Sequence, residues 1–168
     1  MQSLPLSRAR LMAMIGQPEE TVKIATEILS LNEKHPGIVD LVDVEYSQFS
    51  LAEAYLALGK WEDAEKIYKI LHNSFLQRGE HHALVLIGLA QTKYEQGKYD
   101  EAIEIGNVAI EEDRQFAGVH KYVALSLKAK GDIDEAKRTI SRAILYEEHW
   151  DKDNLQKNKE LLRELNSM

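Results

Sequence analysis

Three pairs of adjacent carboxylates, Glu62-Asp63, Asp100-Glu101 and Asp134-Glu135, are the side chains best placed to do chemistry, because neighbouring acids can divide general-acid and general-base roles. His72, His81 and His82, with Glu80 beside them, offer the imidazole and carboxylate ligands that zinc takes. Lys128, Lys130, Lys137, Arg138 and Arg142 form a local concentration of base of the sort that neutralises phosphates. The sequence context argues against each. No two histidines share one helix face with a third ligand supplied, so no metal is expected. The basic residues belong to a chain with 21 basic and 28 acidic residues and a formal charge of −7, so a solvated helix face explains them and no nucleic-acid partner is expected. There is no cysteine, no phosphate-cradling glycine loop, no nucleophile elbow and no paired-histidine metalloprotease motif. The chain is therefore read as no enzyme, with no catalytic residue and no cofactor.

The carboxylate pairs also recur, and recurrence points to a repeated structural need. They sit inside Trp61-Glu62-Asp63-Ala64, Tyr99-Asp100-Glu101-Ala102 and Ile133-Asp134-Glu135-Ala136, each opening two residues after Gly59, Gly97 or Gly131. Those glycines lie 38 and 34 residues apart. A weaker copy, Gly16-Gln17-Pro18-Glu19-Glu20-Thr21, lies 43 residues before Gly59, and its surplus over 34 falls between Pro36 and Tyr46. Seven residues before each glycine stands an alanine (Ala9, Ala52, Ala90, Ala124); five after stand Thr21, Ala64, Ala102 and Ala136. Large apolar residues then share one helical face: Tyr68 and Leu71, Ala109 and Ile110, Ile140, Ala143 and Ile144. Each unit reads as a helix, a glycine turn in the left-handed region and a second helix, with small residues where the two approach. Acids just after the turn are favoured by the helix macrodipole.

These glycines, alanines and acidic phrases, with one spacing of 34 residues and one longer by four, about a helical turn, resemble the tetratricopeptide repeat (TPR) family. The resemblance implies an all-α fold, a right-handed superhelical solenoid of antiparallel helix pairs with about four repeats. They are placed near 2–35, 37–78, 80–113 and 114–147. The first copy departs from the family pattern at Arg8 and Pro18. The third copy has Lys93 and Gly106 where the family buries bulky residues, and Gly106 is read as a site of close helix packing, with a hinge or a point of ligand approach as the alternatives. Relatives that hold acidic chaperone tails use a basic and amide clamp. The matching positions here are Phe49, Glu53, Gly88, Gly118 and Tyr122, or one repeat earlier Leu6, Arg10, Ser50, Leu84 and Gly88. Neither set can bind two carboxylates, so no chaperone tail is expected.

Length and composition fit one domain spanning 1–168: 44% of residues are hydrophobic, with three prolines and nine glycines. Helices are predicted near 5–15, 18–33, 37–58, 61–77, 80–96, 99–112, 114–130, 133–147 and 151–166. Pro18 suits a first turn, and Pro36 blocks the helix before it. After Trp150, Leu155, Leu161, Leu162 and Leu165 lie on an otherwise charged helix, expected to cap the stack over 151–166, with self-association as the alternative. No apolar run is long enough to span a bilayer and no secretory signal is evident, so membrane insertion is not expected and a cytoplasmic location is.

Function is expected on the concave face, lined by the first helix of each pair. Opposite the small alanines, spacings of three and four select Tyr46, Phe49, Glu53 and Leu56, then Leu84, Ile87, Gln91 and Tyr94, then Lys121, Tyr122, Leu125 and Lys128. This apolar and aromatic groove is read as the binding surface of a non-catalytic protein-protein interaction scaffold that takes a peptide or helix of a partner. The alternatives are a self-associating assembly module, with a homodimer possible, and an RNA-binding helical-repeat protein.

Overall fold

The computed structural model describes residues 16–80, 82–112, 117–147 and 152–168. Among these, eight helices and no strand occur: α1 (Pro18–Lys34), α2 (Leu41–Ala57), α3 (Trp61–Gln77), α4 (Ala83–Glu95), α5 (Tyr99–Glu112), α6 (Ala117–Lys130), α7 (Ile133–Glu147) and α8 (Lys152–Asn166). The fold is an all-α helical repeat. The helix predicted at 5–15, with Leu6, Arg8, Ala9 and Arg10, lies outside the described residues. The helix predicted from 37 begins instead at Leu41, because Gly37 adopts φ 84° and Asp40 caps α2, its Oδ1 accepting the Asp43 N–H at 2.8 Å.

The chain forms two compact units, Met1–Glu80 and His81–Met168. In the first, α2 packs against both α1 and α3. Pro18 occupies the first turn of α1, where its missing N–H leaves no bond unmade. The small residues predicted at helix contacts are fully enclosed: Thr21, Ala52 and Ala64 are each at 0% exposure. Around them Ile28, Leu51, Tyr68, Leu71 and Phe75 complete the core. At the C-terminal end of α3, Arg78 reaches Glu45 of α2 at 2.6 Å and Glu80 at 2.8 Å, and its guanidinium lies 4.8 Å from the centre of the Phe75 ring. This ties the start of α2 to the end of α3.

In the second unit α4 packs on α5 and α6, α6 on α7, and α8 closes over α7 and α6. Ala90, Ala102, Ala124 and Ala136 are again fully buried. Gly106 of α5 shows why the third copy departs from bulk. A methyl there would lie 2.3 Å from Cγ2 of Val123 on α6, closer than any carbon pair tolerates, so the two helices approach as only glycine allows. The other departure, Lys93, is buried to 4% exposure and meets Glu101 of α5 at 2.6 Å. A carboxylate from the recurring phrase thus neutralises the base that stands in a core position. On α8, Leu161 and Leu165 join Ala124, Ala136, Ile140 and Ala143 in one apolar cluster, with Leu125, Leu127, Ile133 and Leu162 at its edge. The last helix covers the apolar face that α6 and α7 would otherwise leave in water.

The turns follow one rule. Gly59 and its two counterparts have positive φ, and the residue after each donates its N–H to the carbonyl five positions back: Lys60 to Tyr55, Lys98 to Lys93, Asp132 to Leu127. The chain thereby reverses directly into the acidic start of the next helix.

Candidate functional site

The acidic phrases are helix starts. Glu62 and Asp63, Asp100 and Glu101, Asp134 and Glu135 lie in the first turns of α3, α5 and α7. Several are also bound by cations: Asp63 by Lys66 at 3.1 Å, Asp100 by Lys130, Glu101 by Lys93, and Glu135 by Arg138 at 2.5 Å. Carboxylates held this way are ion-pair acceptors at helix starts. The basic residues disperse similarly. Lys128 meets Glu164 of α8 at 2.5 Å, Lys130 turns to α5 and Arg138 folds onto its own helix. Only Lys137 and Arg142 of that group form no ion pair among the described residues. His72 lies on α3 and His82 stands at the N-terminus of α4, while His81 is outside the described residues. No group of three or more His, Asp or Glu among the described residues could hold a metal ion. No described helix is long and apolar enough to cross a membrane.

The twelve residues predicted on the first helices are all at least partly exposed, in contrast to the fully buried alanines on the same helices. In the first unit α2 presents Tyr46, Phe49, Glu53 and Leu56. Phe49 is half-buried, its ring 5.9 Å from that of the enclosed Tyr68 and nearly perpendicular to it, so its inner edge is part of the core. Glu53 lies beside Gly16, Pro18, Ala54 and Ala57 around a cavity of about 240 Å³. Although the residue is exposed, partial loss of water pushes its carboxyl above the ordinary carboxylate range.

In the second unit α4 and α6 lie side by side. They bring Leu84, Ile87, Gln91 and Tyr94 next to Lys121, Tyr122, Leu125 and Lys128. The Tyr94 ring lies 6.2 Å from Tyr122 and 5.9 Å from Tyr99, a tilted aromatic row. The Lys121 ammonium lies 5.4 Å from the centre of the Tyr122 ring. Burial, helped by the charges of Glu95 and Tyr94, pushes the Tyr122 phenol up to about 12. Tyr94 is raised as well, first by burial and then by Glu95. Both phenols therefore remain neutral donors near neutral pH. Gly118 leaves space beside Ile87, and Leu84 is 41% exposed at the same end. At the other end Lys128 is held by Glu164, so α8 borders this face. Leu125 turns partly into the α7–α8 cluster. The interhelical ion pairs that bound this face were not legible from spacing, since Lys128 and Glu164 lie far apart in sequence.

The geometry defines a helical-repeat protein whose first helices carry a stripe of accessible aromatic and aliphatic side chains. The tetratricopeptide repeat family model matches residues 43–114, and this segment carries tetratricopeptide repeats of no assigned subfamily. No curated protein matches the sequence. Solved structures share the fold. The type III secretion translocator chaperone SycD of Yersinia enterocolitica is 22% identical, with 77% of this chain and 96% of that chain covered at a TM-score of 0.67. TTC0263, a thermophilic TPR protein of Thermus thermophilus, is 16% identical over 96% of this chain and 79% of that chain at a TM-score of 0.74. PcrH of Pseudomonas aeruginosa, in complex with the chaperone binding region of PopB, is 19% identical over 78% of this chain and 97% of that chain at a TM-score of 0.61.

Proposed function

We propose that the protein is a non-catalytic interaction scaffold in which the exposed face formed by α4 and α6 receives a peptide or helix of a partner protein. The observation that carries this reading is the α4–α6 face. Two parallel rows of side chains, apolar at the Leu84–Ile87–Gly118 end and aromatic at Tyr94 and Tyr122, stay accessible while the alanines beneath them are fully buried. Such a face loses water on contact with a partner's aliphatic or aromatic side chain, and the neutral phenols and Gln91 supply hydrogen bonds that fix its register. The complex of the similarly folded PcrH with the chaperone binding region of PopB supports a peptide-binding role. The ligand is expected to be apolar and aromatic in character, since neither clamp register offers the cations an acidic tail needs. A location in the cytoplasm and a single 1–168 domain belong to the same proposal.

The test is affinity capture from native extract with wild type beside Gln91→Ala and Tyr94→Ala, variants on the accessible stripe. Capture lost in the variants, with far-UV circular dichroism unchanged, is the expected result. Equal capture by all three proteins would refute the assignment of this face.

A further inference from the structure

The first unit carries an apolar group that its own core does not use. Where α1 stops and α2 starts, Leu31, Ile38, Leu41 and Val42 are 45%, 59%, 56% and 72% exposed. The inward residue of this connection is Val39, which packs on Ile24 and Ile28. Ile38, Leu41 and Val42 thus point away from the cluster their neighbour completes. They lie in the stretch between Pro36 and Tyr46 that exceeds the repeat length, so the repeat architecture does not require them. Large aliphatics gathered in water at one corner mark a surface that is covered by something.

The charges beside the group say what covers it. Asp40 caps α2 through Asp43, which brings two carboxylates to the same helix start. The Asp43 carboxyl is held above the ordinary range by loss of water and then by the neighbouring Asp40 charge. Neither acid forms an ion pair among the described residues. Glu33 and Lys34, exposed on the last turn of α1, offset one another, and Glu45 is already engaged by Arg78. The corner is apolar with an unneutralised acidic rim.

We propose that this corner is a second docking surface, distinct from the α4–α6 face, for a basic amphipathic segment of a partner protein. Its aliphatic side chains cover Leu31, Ile38, Leu41 and Val42, and a lysine or arginine at its edge bridges Asp40 and Asp43. A second copy of this chain fits less well, because a self-complementary contact sets the acidic rim against another copy with the same negative balance. An anionic membrane surface is repelled by the same rim.

The test uses the full chain and a fluorescein-labelled peptide of about 14 residues built from leucine and lysine in amphipathic helical spacing. Its binding is followed by fluorescence anisotropy. The expected result is salt-sensitive binding that falls about tenfold or more in the Ile38→Ser, Val42→Asp double variant. In Asp40→Asn, Asp43→Asn it falls about threefold to tenfold, because asparagine keeps the helix cap and removes only charge. Glu104→Gln with Glu111→Gln, an equal charge change in the other unit, leaves binding unaltered. Equal binding of a leucine–glutamate peptide, or of the lysine peptide to all variants, overturns the proposal. So does a concentration-dependent dimer in light scattering that Val42→Asp abolishes, or corner-dependent binding to phosphatidylserine vesicles.

Discussion

Replacing Gly106 with alanine is expected to destabilise the second unit even though alanine is the better helix former. The substitution gains about 0.5–1 kcal/mol of helix preference. Against this, the new methyl would fall 2.3 Å from Val123 Cγ2, and Val123 is itself only 2% exposed, so no flexible side chain can swing aside. Overpacking of this kind costs about 1–3 kcal/mol, which leaves a net loss of about 1 kcal/mol. Val123→Ala alone should lose about 2 kcal/mol through the deleted methyls and the space they leave. In the double variant the alanine methyl occupies that space, so the two losses should sum to less than their total by about 1 kcal/mol. Urea unfolding followed by circular dichroism reads all four proteins. A Gly106→Ala protein more stable than wild type, or strict additivity in the double variant, would refute the close-packing account.

Two further outcomes follow from the candidate face. Folding holds the Tyr122 phenol above its ordinary value, so its stabilising contribution is complete below about pH 10 and is lost as pH rises toward about 12. Melting temperature should therefore fall between those pH values, and Tyr122→Phe should flatten the decline; an unchanged slope would contradict the burial assigned to Tyr122. Phe49→Ala should lower stability by about 1–2 kcal/mol because its ring edge packs on Tyr68, whereas Gln91→Ala should change it by less than about 0.5 kcal/mol. Calorimetry that gave both the same small effect would place Phe49 wholly on the surface.

The repeated elements were legible because they answer backbone demands. A glycine with positive φ and a small residue between close helices cannot be exchanged freely, so Gly59, Gly97 and Gly131 and the six alanines from Ala52 to Ala136 mark the turns and contacts directly in the sequence. The late start of α2 was carried by Asp40, a cap residue two places after Ile38. Periodicity selected positions that are at least partly exposed on each of α2, α4 and α6, but not the depth of each side chain. Phe49 and Leu125 are selected by the same spacing as Gln91, yet Phe49 touches Tyr68 and Leu125 touches the α7–α8 cluster. The ion pairs Lys93–Glu101, Lys130–Asp100, Lys128–Glu164 and Arg78–Glu45 join different helices, so no local spacing announces them.

The claim that the α4–α6 face captures a partner is tested most directly by site-specific photo-crosslinking. A photoreactive phenylalanine analogue placed at Gln91 on α4 is compared with one at Val108, which is 43% exposed on α5. In native extract, position 91 should yield a discrete adduct that excess unlabelled wild type suppresses, and position 108 should yield none. An adduct from position 108 with none from position 91 would contradict the account.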